Sequence, residues 1–84
     1  MHEYTITLAN GDELRVTTEP SLQGRRAYSL LFDTDANVLA ETDSTQYVDY
    51  CETCIIIGES SRAGIPDMLA WDSLESLGHV CTCD

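Results

Sequence analysis

Four cysteines stand in two tight pairs, Cys51 and Cys54 in "YCETCIII" and Cys81 and Cys83 in "HVCTCD". A tight turn can aim both sulfurs of a pair at one point, which is half of a tetrahedral metal site. In an extended C-terminal segment His79 would project from the same side as the second pair, because side chains alternate along a strand. We therefore predict a four-thiolate zinc site, with His79 replacing Cys81 or Cys83 as the variant ligand. Iron is the alternative metal, since four sulfurs suit it as well.

Disulfide bonds and redox chemistry are the two alternative roles for these thiols. Four cysteines allow three disulfide connectivities, and an exported or virion-exposed protein would carry such bonds, but a bond closing only Cys81-x-Cys83 would be strained. A redox Cys-x-x-Cys opens a helix, whose N-terminus lowers the thiol pKa. "CETC" is instead followed by the β-branched "IIIG", which predicts a short buried strand. The sequence therefore favours the metal site over both alternatives.

The paired cysteines resemble those of a zinc ribbon or zinc knuckle. Those sites typically carry Cys-x-x-Cys twice, often with proline and glycine inside the knuckle, whereas the second half here is Cys-x-Cys and neither half contains them. The resemblance implies a structural zinc ion with four protein ligands, which leaves no open position for a catalytic water. With His2 at the terminus and His79 beside the cysteines, no histidine is evidently free to act as a base. We therefore expect a protein that is not an enzyme.

Charge is the second informative feature of the chain. Fifteen acidic residues stand against four arginines, without any lysine, and the net charge is −11. The negative charges of such a surface repel one another and destabilise the folded state in dilute buffer, whereas molar salt screens this repulsion. The acidic residues are spread along the chain, as expected of a solvated surface. The composition resembles that of haloarchaeal proteins, so we expect a protein of a halophilic archaeon or of its virus.

The elements that must position the cysteines begin with a hairpin. In "EYTITLANGDELRVTT" the apolar residues fall on even positions, as in strands with one buried face. A three-residue turn over residues 9–11, with Gly11 in the left-handed conformation, would pair Ile6 with Leu14 and keep the apolar residues on one face. "AYSLLFD" and "NVLAET" predict a second strand pair around the turn "DTDAN".

The rest of the chain predicts connections, further strands and one helix. We interpret "EPSLQGRR" as a connection, "QYVDYC" as a strand and "ESSRAGI" as a loop. "PDMLAWDSLESLG" predicts the only helix, with Gly78 as its stop and an inward stripe that consists of Ala70, Trp71, Leu74 and Leu77. The predicted fold is a single α+β domain over residues 1–84, a small antiparallel sheet of hairpins with one C-terminal helix. A chain this short buries on folding only roughly 60–65% of the surface that its unfolded chain exposes, so we expect a bound metal to add stability.

Function follows from these features only in outline. We predict a non-enzymatic zinc-binding protein that acts through protein contacts as an adaptor or regulator, with Arg62, Ser60 and Ser61 of "GESSRAGIP" as the partner surface. The alternatives are a self-assembling structural subunit of a virion and a nucleic-acid-binding zinc finger that uses Arg25 and Arg26. The net charge and the lack of a basic stripe argue against nucleic acid. Apolar runs such as "CIII" are at most four residues long, so we expect no membrane partner and a cytoplasmic location, or alternatively the virion.

Overall fold

The structure is a computed structural model that describes residues 1–22, 24–45 and 47–83. In these described residues a four-stranded antiparallel sheet comes first and two helices follow, which confirms the α+β class. The strands β1 (His2–Thr7), β2 (Glu13–Ser21), β3 (Gly24–Phe32) and β4 (Val38–Ser44) lie in the order β1-β2-β3-β4, and the helices are α1 (Glu52–Arg62) and α2 (Asp67–Ser76). Across the described ranges, neither helix is long and apolar enough to cross a bilayer.

The first hairpin has the predicted register. Ile6 lies opposite Leu14 and Tyr4 lies opposite Val16. Gly11 has a φ of 92°, a left-handed conformation that glycine adopts without steric cost. The predicted three-residue turn is therefore confirmed, and it places the apolar side chains of both strands on the same face.

The core lies between that face of the sheet and the two helices. Its buried members come from β1, β2, β3, both helices and the connections that follow β1 and α1, which makes the sheet and the helices one packed unit. They are Ile6, Leu8, Leu14, Val16, Leu31, Ile56, Ile65, Ala70 and Leu74.

Helix α2 lies where the sequence predicts it, but its inward stripe is narrower. Ala70 and Leu74 are buried, whereas Trp71 is 39% exposed and Leu77 is 52% exposed. The prediction that all four face the core is wrong. Residue 71 lies 100° around the helix from residue 70 and turns toward solvent, and Leu77 is the C-cap, past the last helical residue Ser76. Gly78, with a φ of 83°, terminates helix α2 as predicted.

Strand β2 extends through residues predicted to form a connection. It continues over Glu19, Pro20 and Ser21, and β3 begins at Gly24, which lies opposite Ser21. Pro20 is tolerated in this strand because β1 does not extend alongside it. The first residue of β1, His2, lies opposite Thr18. Beyond that point β2 has only β3 beside it, so it is locally an edge, where a missing N–H is acceptable.

Helix α1 replaces a predicted strand and a predicted loop. Its buried residues Ile55, Ile56, Glu59 and Ser60 recur with a helical period, which faces them toward the sheet. Tertiary packing therefore overrides the β propensity of the isoleucines. "QYVDYC" is also not a strand among its described residues; Gln46 lies outside them.

A buried carboxylate joins α1 to the sheet. Glu59 is fully buried and accepts hydrogen bonds from the Tyr47 hydroxyl at 2.5 Å and from the Thr42 hydroxyl, which in turn contacts Ser29. Burial and the Glu59 carboxylate raise the pKa of Tyr47. Gly58 makes room for this tyrosine, since a Cβ atom there would lie 2.8 Å from its hydroxyl oxygen. This network was not predicted from the sequence, because Thr42 and Tyr47 lie 17 and 12 positions from Glu59.

Candidate metal centre

The sulfurs of Cys51, Cys54, Cys81 and Cys83 form one cluster in which all lie within 4.8 Å of one another. The Cys54 Sγ lies 3.2 Å from that of Cys81 and 3.4 Å from that of Cys83, and the sulfurs of Cys51 and Cys81 are 3.8 Å apart. Around a tetrahedral zinc ion with Zn–S bonds of about 2.3 Å, the sulfurs lie about 3.8 Å apart. The cluster therefore has a size compatible with one metal ion.

The first cysteine pair opens a helix and does not end a strand. Cys51 is the N-cap of α1, and its sulfur accepts a hydrogen bond from the Cys54 backbone N–H at 3.4 Å. The positive end of the helix favours negative charge on these sulfurs. The prediction that a strand follows "CETC" is therefore wrong, and the position of this pair does not exclude redox chemistry. What distinguishes this cluster from a two-cysteine redox site is the contact of Cys54 with the sulfurs of Cys81 and Cys83.

The second cysteine pair is held against the start of α1 by backbone hydrogen bonds. The Thr82 N–H donates to the Cys51 sulfur at 3.4 Å, and the Cys51 N–H donates to the Cys83 sulfur at 3.3 Å. Residues 79–83 form no strand. His79, the predicted variant ligand, is not part of the cluster, and its ring instead packs edge-on against Tyr4 with the centroids 5.8 Å apart.

The protonation of the thiols is unequal. Burial opposes ionisation of Cys51, but hydrogen bonds from the backbone N–H groups of Cys54 and Thr82 outweigh it and lower its pKa to about 5. The hydrogen bond with Cys81 and burial raise the pKa of Cys54. Without a metal, negative charge is therefore held on Cys51, while Cys54 keeps a proton that a bound cation would displace.

The predicted partner surface is only partly available. Ser60 is 2% exposed, and its hydroxyl donates to the Ile56 carbonyl at 2.7 Å. Its assignment to a partner surface is wrong, because "ESSR" continues α1 and turns this side chain inward. Ser61 and Arg62 are exposed, and the Arg62 guanidinium lies 3.9 Å from the Glu59 carboxylate.

The two arginines of the nucleic-acid alternative are engaged within the chain. Arg25 pairs with Glu52 and donates to the Thr18 hydroxyl at 3.0 Å. Arg26 pairs with Asp43 at 3.0 Å. Binding of a phosphate by either guanidinium would compete with these contacts.

Sequence reasoning missed the part played by the residues between the first two cysteines. Glu52 accepts a hydrogen bond from the Thr18 hydroxyl at 2.8 Å, and Thr53 donates to the Val80 carbonyl at 2.9 Å. The only signal in the sequence for this part was that Glu52 and Thr53 stand at positions where zinc knuckles often carry proline and glycine.

Comparison of the chain with protein-family models, with curated proteins and with solved structures found no match.

Proposed function

We propose that this protein is a non-enzymatic zinc-binding protein in which one ion joins the start of α1 to the C-terminal segment, and which acts through protein contacts. The clustering of four cysteine sulfurs within 4.8 Å supports the proposal. Four thiolates complete a tetrahedral shell and leave no position for a substrate or an activated water. Iron would occupy the same shell, and elemental analysis distinguishes the two metals.

The solvent-facing side of α2 supports a role in protein contacts. Met68 is 79% exposed and Trp71 is 39% exposed, and both are residue types enriched in protein interfaces. Asp67, Asp72 and Glu75 are exposed on the same side of the helix and flank these two apolar side chains. We define these five residues as the α2 face. Its acidic and apolar character fits a partner segment that carries basic and apolar side chains.

The α2 face and the metal can be tested together. Trp71 is the only tryptophan in the chain, so its emission reports on binding at this face. We expect about one zinc or iron ion per chain, and we expect a basic amphipathic peptide to shift the Trp71 emission while an acidic peptide does not. The shift should weaken in Met68→Ser, whereas metal content stays the same.

Other outcomes of this experiment identify which part of the proposal fails. A purified wild type without zinc or iron would contradict the metal site. An emission spectrum that neither peptide changes, combined with large assemblies in native mass measurements, would replace the adaptor role with that of a self-assembling structural subunit. Recovery of nucleic acid whose binding depends on Arg25 and Arg26 would favour the zinc-finger alternative.

The distribution of charge supports a high-salt environment. Each of the four arginines pairs with a different carboxylate, and the excess charge of −11 remains. Because salt screens the repulsion between these carboxylates, we expect the melting temperature to rise steadily from dilute buffer to molar potassium chloride. A melting temperature that does not change with salt would contradict the halophilic origin.

A further inference from the structure

Glu52, which follows the first cysteine, connects the metal centre to the sheet. Its carboxylate accepts a hydrogen bond from Thr18 at 2.8 Å and forms an ion pair with Arg25, which itself donates to Thr18 at 3.0 Å. Thr18 is fully buried on β2, and Arg25 lies on β3. The three side chains therefore form a closed triangle that ties the first turn of α1 to two adjacent strands.

Tyr4 extends this connection to the C-terminal segment. Burial and a hydrogen bond to the Glu52 carboxylate raise the pKa of Tyr4. Its ring also packs edge-on against His79, two residues before Cys81. The contact gives His79 a packing role close to the cluster.

Thr53 holds the segment that carries the second cysteine pair. It is 5% exposed, and its hydroxyl donates to the carbonyl of Val80 at 2.9 Å. Val80 directly precedes Cys81, so this hydrogen bond fixes the backbone from which the next ligand projects. Glu52 faces the sheet and Thr53 faces the C-terminal segment, although the two residues are adjacent.

We infer that Glu52 and Thr53 are positioning residues of the metal centre, an inference that rests on the proposed metal-binding function. They orient the two halves of the cysteine cluster before an ion arrives. Ligands held by hydrogen bonds need less ordering on binding, and removal of such outer contacts typically weakens metal affinity about 10- to 100-fold. This role accounts for glutamate and threonine at positions where zinc knuckles often carry proline and glycine.

The inference is tested by exchanging the Thr53 hydroxyl for a methyl group. Thr53→Val keeps the shape of the side chain and removes the donor to Val80, whereas Thr53→Ser keeps the donor. Affinity is measured by competition with a chelator for Zn²⁺, and site geometry is measured from the absorption spectrum of the Co²⁺-loaded protein. We expect Thr53→Val to bind Zn²⁺ about 10-fold or more weakly with an altered Co²⁺ spectrum, and Thr53→Ser to resemble the wild type. Glu52→Gln, which weakens the pair with Arg25, should also lower the affinity.

Two control variants distinguish positioning from a general loss of stability. Ile6→Val removes a methylene group from the core between the sheet and the helices, and Glu41→Gln removes an exposed negative charge on β4. Both should keep the wild-type Co²⁺ spectrum. If Thr53→Val binds Zn²⁺ as tightly as Thr53→Ser, or if its loss of affinity is matched by Ile6→Val with an unchanged spectrum, the inference is wrong. A wild type that binds neither Zn²⁺ nor Co²⁺ would contradict the proposed function itself.

Discussion

Cys54→Ser is expected to abolish binding of one metal ion per chain and to remove a large part of the stability of the fold. The Cys54 sulfur contacts the sulfurs of both Cys81 and Cys83. Its replacement therefore removes the sulfur that joins the C-terminal cysteine pair to α1. The apparent binding free energy of structural zinc is about 10–16 kcal/mol, which is comparable to the total stability of about 5–15 kcal/mol of a typical domain. We therefore expect a decrease of several kcal/mol in the free energy of unfolding.

Elemental analysis and urea unfolding, each with and without a chelator, check this prediction. A chelator should destabilise the wild type strongly and Cys54→Ser only weakly. Ser61→Ala is the matched control, because it changes an exposed side chain of the same helix. Two results would contradict the metal site: unfolding of the wild type that the chelator does not affect, or an intact mass that is lower by four hydrogens and includes no metal, which would indicate disulfides.

Glu59→Ala is expected to destabilise the protein by about 3–5 kcal/mol, because the Glu59 side chain is fully buried. Glu59 is the common acceptor for the hydroxyls of Tyr47 and Thr42. Its removal leaves both donors buried without that acceptor, each at a cost of about 1–3 kcal/mol, and opens a cavity beside α1. Urea unfolding of the metal-loaded protein provides the measurement.

Companion variants separate the hydrogen bonds from the loss of volume. Tyr47→Phe removes one donor and should cost less than Glu59→Ala. Glu41→Ala removes an exposed carboxylate and should change the stability by no more than about 0.5 kcal/mol. Should Glu59→Ala prove as mild as Glu41→Ala, the network would not hold the helix to the sheet.

The two hairpins of the sheet could be predicted from the sequence because their signals are local, whereas the end of β2 and the start of β3 were interpreted as a connection. Strict alternation along β1 and β2, together with the position of Gly11, specifies both the register and the buried face. Slipping the register by one residue would turn the apolar side chains toward water. The acidic turn between β3 and β4 is equally local.

Helix α1 could not be predicted because its helical pattern includes polar residues. Ile55 and Ile56 read as a strand by propensity, and the helical continuation is carried by Glu59 and Ser60, which are buried. A buried glutamate is stable only with partners, and its partners Thr42 and Tyr47 lie 17 and 12 positions away in the sequence. No local pattern reveals such contacts.

The residues of the cysteine cluster could be predicted from their type and spacing. The position of His79 relative to the cluster depended on the fold. The spacing of the cysteines indicated the right four residues for the cluster. The prediction included His79 as a variant ligand because an extended segment would align it with Cys81 and Cys83. The chain is not a strand there, and the ring packs on Tyr4, a contact that depends on where β1 lies.

The order of the strands has a consequence for the folding pathway. Each strand pairs with its neighbour in sequence, so the sheet forms by closing short loops. The contact between Cys54 and Cys81 closes a loop of 27 positions, which costs more chain entropy. Local contacts favour early formation, so the sheet can form before the thiolate cluster closes. Interactions made after the transition state act mainly on the unfolding rate. An ion bound in the cluster would therefore lengthen the lifetime of the folded state and leave the speed of folding nearly unchanged.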